Sequence, residues 1–225
     1  MSLRDRRNRS VPSAVLWDLD GTLADSEEYH WLSWRDAMRG EGFALTHDRF
    51  LESFGQRNDR ILGTWLGADA EVERIRRIGD WKEAEYRRLA EERGLTPLPG
   101  AREWVERLHR DGWKQAIASS APRLNVETML HVLQFDGLID AMVSADEVKR
   151  GKPDPDVFLA AAAAVSVPPA SCIVVEDAPA GVEAGRRAGM KTIGVNTKTP
   201  LAADIYVTSL ADLPPDAFDR LLTSA

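Results

Sequence analysis

Five short apolar segments are spread along the chain, and most of the sequence between them carries hydrophobic residues at the spacing of a helix. The segments are "AVLW", "KQAIAS", "AMVSA", "CIVVED" and "KTIGVN". Apolar strands that alternate with amphipathic helices are typical of a parallel sheet covered by helices on both faces. The pattern therefore predicts an α/β fold built on a parallel sheet.

Two of the predicted helices can be followed residue by residue. In "AREWVERLHRDG" the side chains of Trp104, Val105 and Leu108 fall on one helical face, and Gly112 ends the pattern. The segment "APAGVEAGRRAGM" has the same character, and Gly189 marks its end. Both segments lie beside predicted strands, as an alternating α/β fold requires.

The alternation stops after the first strand. Between residues 28 and 96 the apolar residues recur only at helical spacing, which predicts several consecutive helices. An all-helical block in this position predicts a cap domain, residues 28–96, inserted into a core formed by residues 1–27 and 97–225. The "LTPLPG" stretch is a predicted hinge where the chain returns to the core. The apolar residues at helical spacing are Trp31, Trp34, Met38, Ile61, Leu62, Trp65, Leu66, Ile75, Ile78 and Trp81.

The composition is that of an ordinary soluble globular protein, because 44% of the 225 residues are hydrophobic and 29% are charged. The formal net charge of -7 argues against nucleic acid or a membrane as the main partner, since both require a basic surface. A small-molecule partner is expected instead. The N-terminal "MSLRDRRNRS" is followed by too few apolar residues for a signal sequence, so it is interpreted as a disordered arm.

Cysteine use points to a reducing compartment. Cys172 is the only cysteine of the chain, so no internal disulfide can form. It lies in the apolar run "CIVV", where a buried and unreactive thiol is expected. These features together favour a cytoplasmic location.

Polar residues follow four of the predicted strands. The carboxyl ends of parallel strands meet at one edge of a sheet, where ligands bind in such folds. Any one of these groups alone has a plainer interpretation: the serines as a helix N-cap, the lysine as a surface residue, the acidic pair as a turn. Their convergence favours a functional site. The residues are Asp18 and Asp20 after "AVLW", Ser119 and Ser120 after "QAIA", Lys152 in "RGKPDPD", and Glu176 and Asp177 after "CIVV".

These residue types match the needs of phosphoryl transfer. Asp18 is a candidate carboxylate nucleophile, and Asp20 is a candidate general acid and base. Two carboxylates aimed at one point repel each other unless a cation lies between them, so a divalent ion is expected. An EF-hand is excluded, because Leu23 stands where that loop needs glycine and Tyr29 where it needs a bidentate glutamate.

Mg2+ is the expected cofactor because it prefers oxygen ligands. The expected ligands are Asp18, the backbone carbonyl of Asp20, Asp177 and, with weaker support, Glu176. A phosphoryl group would then need cationic and hydrogen-bond donors beside the metal, and Gly21 would let the backbone turn tightly around it. The expected phosphate-binding residues are Thr22, Ser119, Ser120 and Lys152.

The ordered motifs resemble those of the haloacid dehalogenase-like hydrolase superfamily. The matching stretches are "DLDGT", the serine at position 119, the lysine in "GKPDPDVF" and "VVEDAPAGVEAGRRAGM", and together they cover nearly the whole chain. The resemblance implies a Rossmann-like core, a mobile helical cap, Mg2+ dependence and hydrolysis of phosphate monoesters through an aspartyl-phosphate. It implies the roles given above for Asp18, Asp20, Ser119, Lys152 and Asp177. Dehalogenases of the superfamily lack an aspartate at position 20, so its presence favours phosphoryl chemistry.

Within the superfamily the chain is similar to the branch that contains β-phosphoglucomutase and sugar-phosphate phosphatases. "DSEEYHWLSW" resembles the hinge of that branch, with His30 at the position of its hinge histidine. Arg57 and Lys82 fall where the mutase cap contacts its substrate. The alternative interpretation of these cap residues is a charged face on an exposed helix. Ala178 stands where the mutases usually carry serine, which favours hydrolysis over mutase activity.

The expected function is a Mg2+-dependent phosphatase that acts on a small phosphorylated metabolite, such as a sugar or polyol phosphate. β-Phosphoglucomutase activity, in which the phosphoryl group returns to a bound sugar phosphate, is the first alternative. A phospho-receiver signalling module uses a similar set of groups, but Asp20 and the helical insertion argue against it. A catalytically inactive binding protein is disfavoured because none of the core groups is missing.

Overall fold

The structure is a computed structural model that describes residues 12–67, 69–196 and 198–223. The interpreted N-terminal arm, residues 1–10, lies outside the described residues. The strands are β1 (Ala14–Trp17), β2 (Ala24–Asp25), β3 (Thr96–Pro97), β4 (Lys114–Ala118), β5 (Ala141–Val143), β6 (Cys172–Glu176), β7 (Lys191–Val195) and β8 (Ile205–Val207). The α-helices are α1 (Glu27–Gly40), α2 (His47–Leu51), α3 (Asn58–Leu66), α4 (Val72–Arg93), α5 (Ala101–Arg110), α6 (Arg123–Val132), α7 (Asp156–Ala164), α8 (Pro179–Arg187) and α9 (Ala217–Thr223).

A six-stranded parallel sheet in the order β5-β4-β1-β6-β7-β8 forms the core. The first strand lies in its interior, between β4 and β6, and all four of its residues are buried. The prediction of a Rossmann-like α/β core is therefore confirmed. The five predicted segments contain β1, β4, β5, β6 and β7, whereas β8 was not predicted.

Helices cover both faces of the sheet, and the alternation of side chains along each strand supplies both contacts. Val15 and Trp17 point to one face, and Ala14 and Leu16 point to the other. The first face packs against apolar residues of α5, α6 and α9, and the second against those of α7 and α8. Cys172 lies in the second layer, is fully buried, and has its thiol pKa raised to about 12 by burial.

Helices α1 to α4 form the inserted cap between β2 and β3, as predicted. They have an apolar core of their own, and Tyr86 of α4 in addition packs into the apolar cluster of the sheet domain. The boundaries at residues 28 and 96 stay predictions. None of the described helices combines the length and the apolar character needed to cross a bilayer. The buried residues of the cap core are Trp34, Ala37, Met38, Leu45, Phe50, Ile61, Leu62, Trp65 and Ile78.

The prediction that Trp81 shares the apolar face of its helix is wrong, because its side chain is 48% exposed. The buried face of α4 is centred near Gly79, Lys82 and Tyr86. At 100° per residue, Trp81 lies roughly 130° around the helix from that centre. Charged residues, rather than the tryptophan, face the interior at this level of the cap.

The two connections between core and cap run side by side. Strands β2 and β3 pair antiparallel, so the chain leaves the core and returns to it at the same place. Leu98 N–H donates a hydrogen bond to the carbonyl of Leu23 (2.9 Å), which continues the pairing into the core. The predicted "LTPLPG" hinge contains β3, and movement about it stays a prediction.

Candidate active site

A cavity of about 820 Å³ lies between the carboxyl edge of the sheet and the cap. The core supplies its floor, and the cap residues Glu52, Phe54, Gln56 and Arg60 line the opposite side. The site residues predicted from the core sequence all line this cavity: Asp18, Asp20, Thr22, Ser119, Ser120, Lys152, Glu176 and Asp177. The strands converge there because they are parallel and end at one edge.

Lys152 is the centre of the floor. Its Nζ donates to Asp18 Oδ1 (2.5 Å), to Glu176 Oε1 (2.6 Å) and to the backbone carbonyl of Ala118 (3.0 Å). The lysine side chain is only 5% exposed, and its ammonium also lies over the ring of Phe158. A chain segment distant in sequence therefore places one cation between carboxylates that follow β1 and end β6. The interpretation of Lys152 as a surface residue is wrong.

Burial and like charges dominate the protonation of the floor. Burial raises the pKa of Asp18 to about 8, with Glu176 adding to the shift and Lys152 opposing it. Burial also raises the pKa of Asp177 well above its usual value, helped by Glu176 and Asp18. The pKa of Lys152 is raised, because Asp18 and Glu176 outweigh the burial of its ammonium. One lysine therefore does not offset the burial of three neighbouring carboxyl groups, and their full ionisation needs a further cation.

The same carboxylates form a candidate metal centre. One oxygen each of Asp18, Glu176 and Asp177 lies within 4.8 Å of the others. Three oxygen donors with unbalanced negative charge fit a hard divalent cation such as Mg2+. Gly21 makes the approach possible: its φ is +80°, and a Cβ there would collide with the Asp177 carboxylate. The predicted ligand role of the Asp20 carbonyl stays a prediction.

Glu176 is held at both oxygens. Its Oε1 accepts from Lys152, and its Oε2 accepts from the backbone N–H of Ala178 (2.9 Å). Gly181, in the first turn of α8, leaves the space that this carboxylate occupies. Glu176 therefore orients Lys152 as well as being a candidate metal ligand.

Gly181→Ala is expected to be destabilising, because the added Cβ overlaps the Glu176 carboxylate and must displace it from Lys152. We expect the free energy of unfolding to fall by about 1–3 kcal/mol, as for other overpacked sites. The matched control is Gly63→Ala inside α3, where a Cβ meets no atom within 4 Å. That variant should gain about 0.5–1 kcal/mol. Urea unfolding of both variants checks the contrast, and equal behaviour would contradict the packing described for Gly181.

The hydroxyl groups of the floor lie where phosphate donors were predicted. Ser119 is buried, and its Oγ accepts from the backbone N–H of Ala121 (3.0 Å), which leaves its own proton free to donate. The N-cap of α6 is Pro122, so the interpretation of the serines as that cap is wrong. Thr22 Oγ1 is buried and has no hydrogen-bond partner among the described residues. Phosphate binding by Thr22, Ser119 and Ser120 stays a prediction.

Asp20 lies beside the floor and is bound to the first helix of the cap. Its Oδ1 is 2.6 Å from Ser26 Oγ and 2.9 Å from His30 Nε2. Burial acts against the charged form, but His30 and Ser26 outweigh it and hold the pKa of Asp20 below its usual value. The pKa values of Asp18 and Asp20 are therefore shifted in opposite directions although only one residue separates them.

The comparison with protein families decides what kind of enzyme this site belongs to. The family model of the haloacid dehalogenase-like hydrolases matches residues 15–195, from β1 to the end of β7. The chain belongs to this hydrolase family. The prediction made from its ordered motifs is confirmed.

Similar members of the hydrolase family include both mutases and phosphatases. The chain is 34% identical to a β-phosphoglucomutase of Bacillus subtilis over 89% of this chain and 91% of the relative. It is 33% identical to hexitol phosphatase A of Escherichia coli over 80% and 82%, respectively. The chloroplastic protein SUPPRESSOR OF QUENCHING 1 of Arabidopsis thaliana is 38% identical, but the chain spans only 18% of it. These names agree with the predicted enzyme class, a phosphoric monoester hydrolase with a mutase alternative.

A solved structure resembles this hydrolase over both the core and the inserted cap. The β-phosphoglucomutase of Clostridium difficile superimposes with a TM-score of 0.86 at 25% identity, covering 95% of this chain and 98% of that one. An α/β core with an inserted helical cap is thus the fold of the hydrolase.

The cap residues predicted to contact substrate occupy different positions in the hydrolase. His30 and Lys82 are buried beside Asp20, so their interpretation as a charged face on an exposed helix is wrong. Arg57 lies outside the lining of the large cavity, and its Nη1 donates to the backbone carbonyls of Ala145 (3.0 Å) and Val148 (3.2 Å) in the core. Substrate contact by all three residues stays a prediction.

Sequence reasoning did not single out three polar residues that hydrogen bonds connect to Asp20, directly or through other side chains: Ser26, Glu83 and Asn125. Ser26 lies in the quoted hinge stretch, and its hydroxyl is a hydrogen-bond donor that could have been recognised as a partner for Asp20. Asn125 lies four residues before Met129 in α6, and both are fully buried. A polar residue on an apolar helical face is the signal that could have revealed it. Glu83 gave no comparable signal, because glutamates are frequent throughout α4.

Proposed function

We propose that the protein is a Mg2+-dependent phosphatase that hydrolyses a sugar or polyol phosphate through an aspartyl-phosphate on Asp18. The observation that supports this function most directly is the cavity floor. There the nucleophile candidate, one buried ammonium and two further carboxylates meet below a cavity large enough for a small metabolite. Asp20 supplies the remaining group, an acid and base beside the floor.

In the first step an oxygen of Asp18 forms a bond to phosphorus while the bond from phosphorus to the ester oxygen breaks. The negative charge of the bound phosphate raises the pKa of Asp20 from its lowered value in the free site. Protonated Asp20 then donates its proton to the departing oxygen, so the alcohol leaves neutral. Lys152 neutralises charge on Asp18 and on the phosphoryl oxygens, and the Ser119 hydroxyl can donate to the same oxygens. Mg2+ held by Asp18, Asp177 and Glu176 would add positive charge where the phosphoryl group passes.

In the second step Asp20 takes a proton from a water molecule, whose oxygen attacks phosphorus and displaces Asp18. Inorganic phosphate is released, and both aspartates return to their starting forms. The cap covers this chemistry from above, with Phe54 and Gln56 on the opposite wall of the cavity. Excluding bulk water during the first step strengthens the electrostatic interactions that stabilise the transition state.

The cavity rim supports hydrolysis rather than mutase activity. A mutase of this type must hold a sugar bisphosphate, so it needs a second cationic subsite away from the floor. Arg57, the cap arginine predicted to contact substrate, binds backbone carbonyls of the core. Among the described residues that line the cavity away from the floor, the cations are Arg60 and Lys198, and Lys198 is paired with Glu27 (2.8 Å). The acidic residues Asp25, Glu27 and Glu52 outnumber these two cations. A neutral hydroxylated leaving group suits this rim better than a second phosphate.

The proposal predicts Mg2+-dependent release of phosphate from p-nitrophenyl phosphate and from a panel of sugar and polyol monophosphates. Turnover should disappear with excess chelator and return when Mg2+ is restored, because the floor carboxylates lose their compensating charge without it. Phosphate release is measured by a colorimetric assay. Hydrolysis that is indifferent to chelator, or absent across the panel, would contradict the proposal. A phospho-aspartate that persists without turnover would instead indicate a receiver module.

The mutase alternative is supported by the named relatives, and one incubation separates it from the phosphatase. With β-glucose 1-phosphate as substrate, a phosphatase releases glucose and inorganic phosphate in equal amounts. A mutase accumulates glucose 6-phosphate with little free phosphate. Coupled detection of both products distinguishes the two activities.

A further inference from the structure

A chain of buried polar side chains connects Asp20 to a helix of the core on the far side of the cap. His30 Nε2 lies 2.9 Å from Asp20, and His30 Nδ1 lies 2.8 Å from Lys82 Nζ. Lys82 Nζ in turn donates to Glu83 Oε1 (2.9 Å), and Glu83 Oε2 accepts from Asn125 Nδ2. The chain therefore passes from the β1 loop through α1 and α4 of the cap to α6 of the core.

The protons of this chain can be assigned from its donors and acceptors. A lysine ammonium only donates, so a charged Lys82 requires that Nδ1 of His30 accept and carry no proton. The single ring proton must then lie on Nε2, where it donates to Asp20. The opposite assignment, a neutral Lys82 that accepts a proton from Nδ1, is disfavoured because the same Nζ lies 2.9 Å from the Glu83 carboxylate, a contact that fits an ammonium donor.

Glu83 is the carboxylate that keeps this ammonium in place. Lys82 is 2% exposed, and a buried ammonium without a partner is strongly unfavourable. Besides His30 and Glu83, the rings of Trp34 and Tyr86 lie near its ammonium, at 5.1 and 5.4 Å. Glu83 is the carboxylate in direct contact with it among the described residues.

Glu83 is itself fixed from two further elements. Asn58, at the start of α3, donates to its Oε1 (2.7 Å), and Asn125 of α6 donates to its Oε2. Asn125 is oriented by Arg87, whose Nη1 donates to the amide oxygen (2.6 Å). Glu83 therefore links α3 and α4 of the cap to α6 of the core. Asn58 and Asn125 fix its position independently of Lys82.

We propose that Glu83 is a positioning residue that holds Lys82 against Nδ1 of His30 and thereby fixes the Nε2–H tautomer that faces Asp20. With this tautomer, Asp20 Oδ1 receives two donors, His30 Nε2–H and the Ser26 hydroxyl. With the opposite tautomer a lone pair on Nε2 would face the carboxylate, and Asp20 would turn away. The functional consequence rests on the proposed acid and base role of Asp20, whereas the tautomer itself does not.

The first test is the tautomer of His30 in the unmodified protein. Long-range 1H–15N correlation spectra report which ring nitrogen of a histidine is protonated, and the chain has only four histidines. His30→Asn assigns the signal. We expect Nε2 protonated and Nδ1 unprotonated at neutral pH. A proton on Nδ1, alone or on both nitrogens, would overturn the proposal without any need for a variant at Glu83.

The second test is Glu83→Gln, which keeps the shape of the side chain and removes its charge. We expect His30 to lose its single tautomer and KM to change little. We expect kcat to fall about tenfold, because a misplaced general acid–base group loses part of its contribution of about 10²–10⁴-fold. The control is Glu91→Gln, an exposed position on the same helix, which should leave both readouts unchanged.

A folded Glu83→Gln variant with an unchanged His30 tautomer would overturn the assignment of Glu83. If the variant does not fold, the spectrum of the unmodified protein still decides the tautomer. If the protein hydrolyses no phosphate ester but Glu83→Gln changes the tautomer, the proposed function fails and the structural inference stands.

Discussion

Replacing Lys152 by methionine is expected to lower the free energy of unfolding of the ion-free protein by about 3–5 kcal/mol and to abolish turnover. The lysine contacts Asp18 and Glu176 directly, and Asp177 lies close to both carboxylates. Without the ammonium, this group of acidic side chains is left buried with no cation. Methionine retains the apolar stem beside Phe158, so loss of charge rather than loss of packing accounts for the effect.

Urea unfolding in the presence of chelator measures the expected loss. The control is Lys149→Met, an exposed position three residues earlier that produces the same change in net charge. Its free energy of unfolding should change by less than about 0.5 kcal/mol. Adding Mg2+ should recover part of the stability of the Lys152 variant, because the cation neutralises the same carboxylates. A variant as stable as the control would contradict the electrostatic account of the floor.

The core was accessible from the sequence because its strands are almost uninterrupted apolar runs. A strand buried on both faces, such as β1, is hydrophobic at every position, and β6 is hydrophobic up to its last residue, Glu176, so polar residues mark the end of each strand. Strand β8 has only three residues and lies at the sheet edge, and each residue is half-buried. Strand β5 is equally short and also lies at an edge, but a helix precedes it. No helix separates β7 from β8, so the alternation of strands and helices does not mark β8.

The floor of the site was predictable for a related reason. Parallel strands bring their carboxyl ends to one edge, so Asp18, Lys152 and Asp177 could be placed together without knowing any side-chain direction. Helical cap residues carry no such constraint. The predicted substrate contact of Arg57 and Lys82 stays a prediction, and the sequence did not show that Arg57 binds core carbonyls or that Lys82 is buried beside His30. Helical spacing alone did not show which way α3 and α4 face.

Asp18→Asn is expected to abolish phosphatase activity and, in the absence of a divalent ion, to stabilise the fold at pH about 8. An amide cannot form the acyl-phosphate, so turnover should fall by several orders of magnitude. Its carbonyl oxygen can still accept from Lys152, which preserves the main contact of the native side chain. The variant also removes one of the negative charges that raise the pKa of Asp177.

The pH dependence of this gain follows from the direction of the Asp18 shift. Burial raises its pKa from 3.8 to about 8, so the native state holds the proton more tightly than the unfolded chain does. The ionised side chain therefore costs stability progressively as the pH rises from about 4 to 8. Near pH 5 native Asp18 is protonated and resembles asparagine, so the two proteins should be similar, whereas near pH 8 the variant should be the more stable. Urea unfolding with chelator at both pH values measures the difference.

Mg2+ should reverse the order of stability at the higher pH. The unmodified site retains all of its anionic ligands and should gain free energy from the bound ion, whereas the asparagine variant binds it more weakly. If the stability advantage of this inactive variant disappears in saturating Mg2+, the negative charge of Asp18 serves to bind the ion and to attack the phosphoryl group. An advantage that is unchanged by Mg2+, or absent at pH about 8 without it, would contradict the assignment of Asp18 to a metal-dependent site.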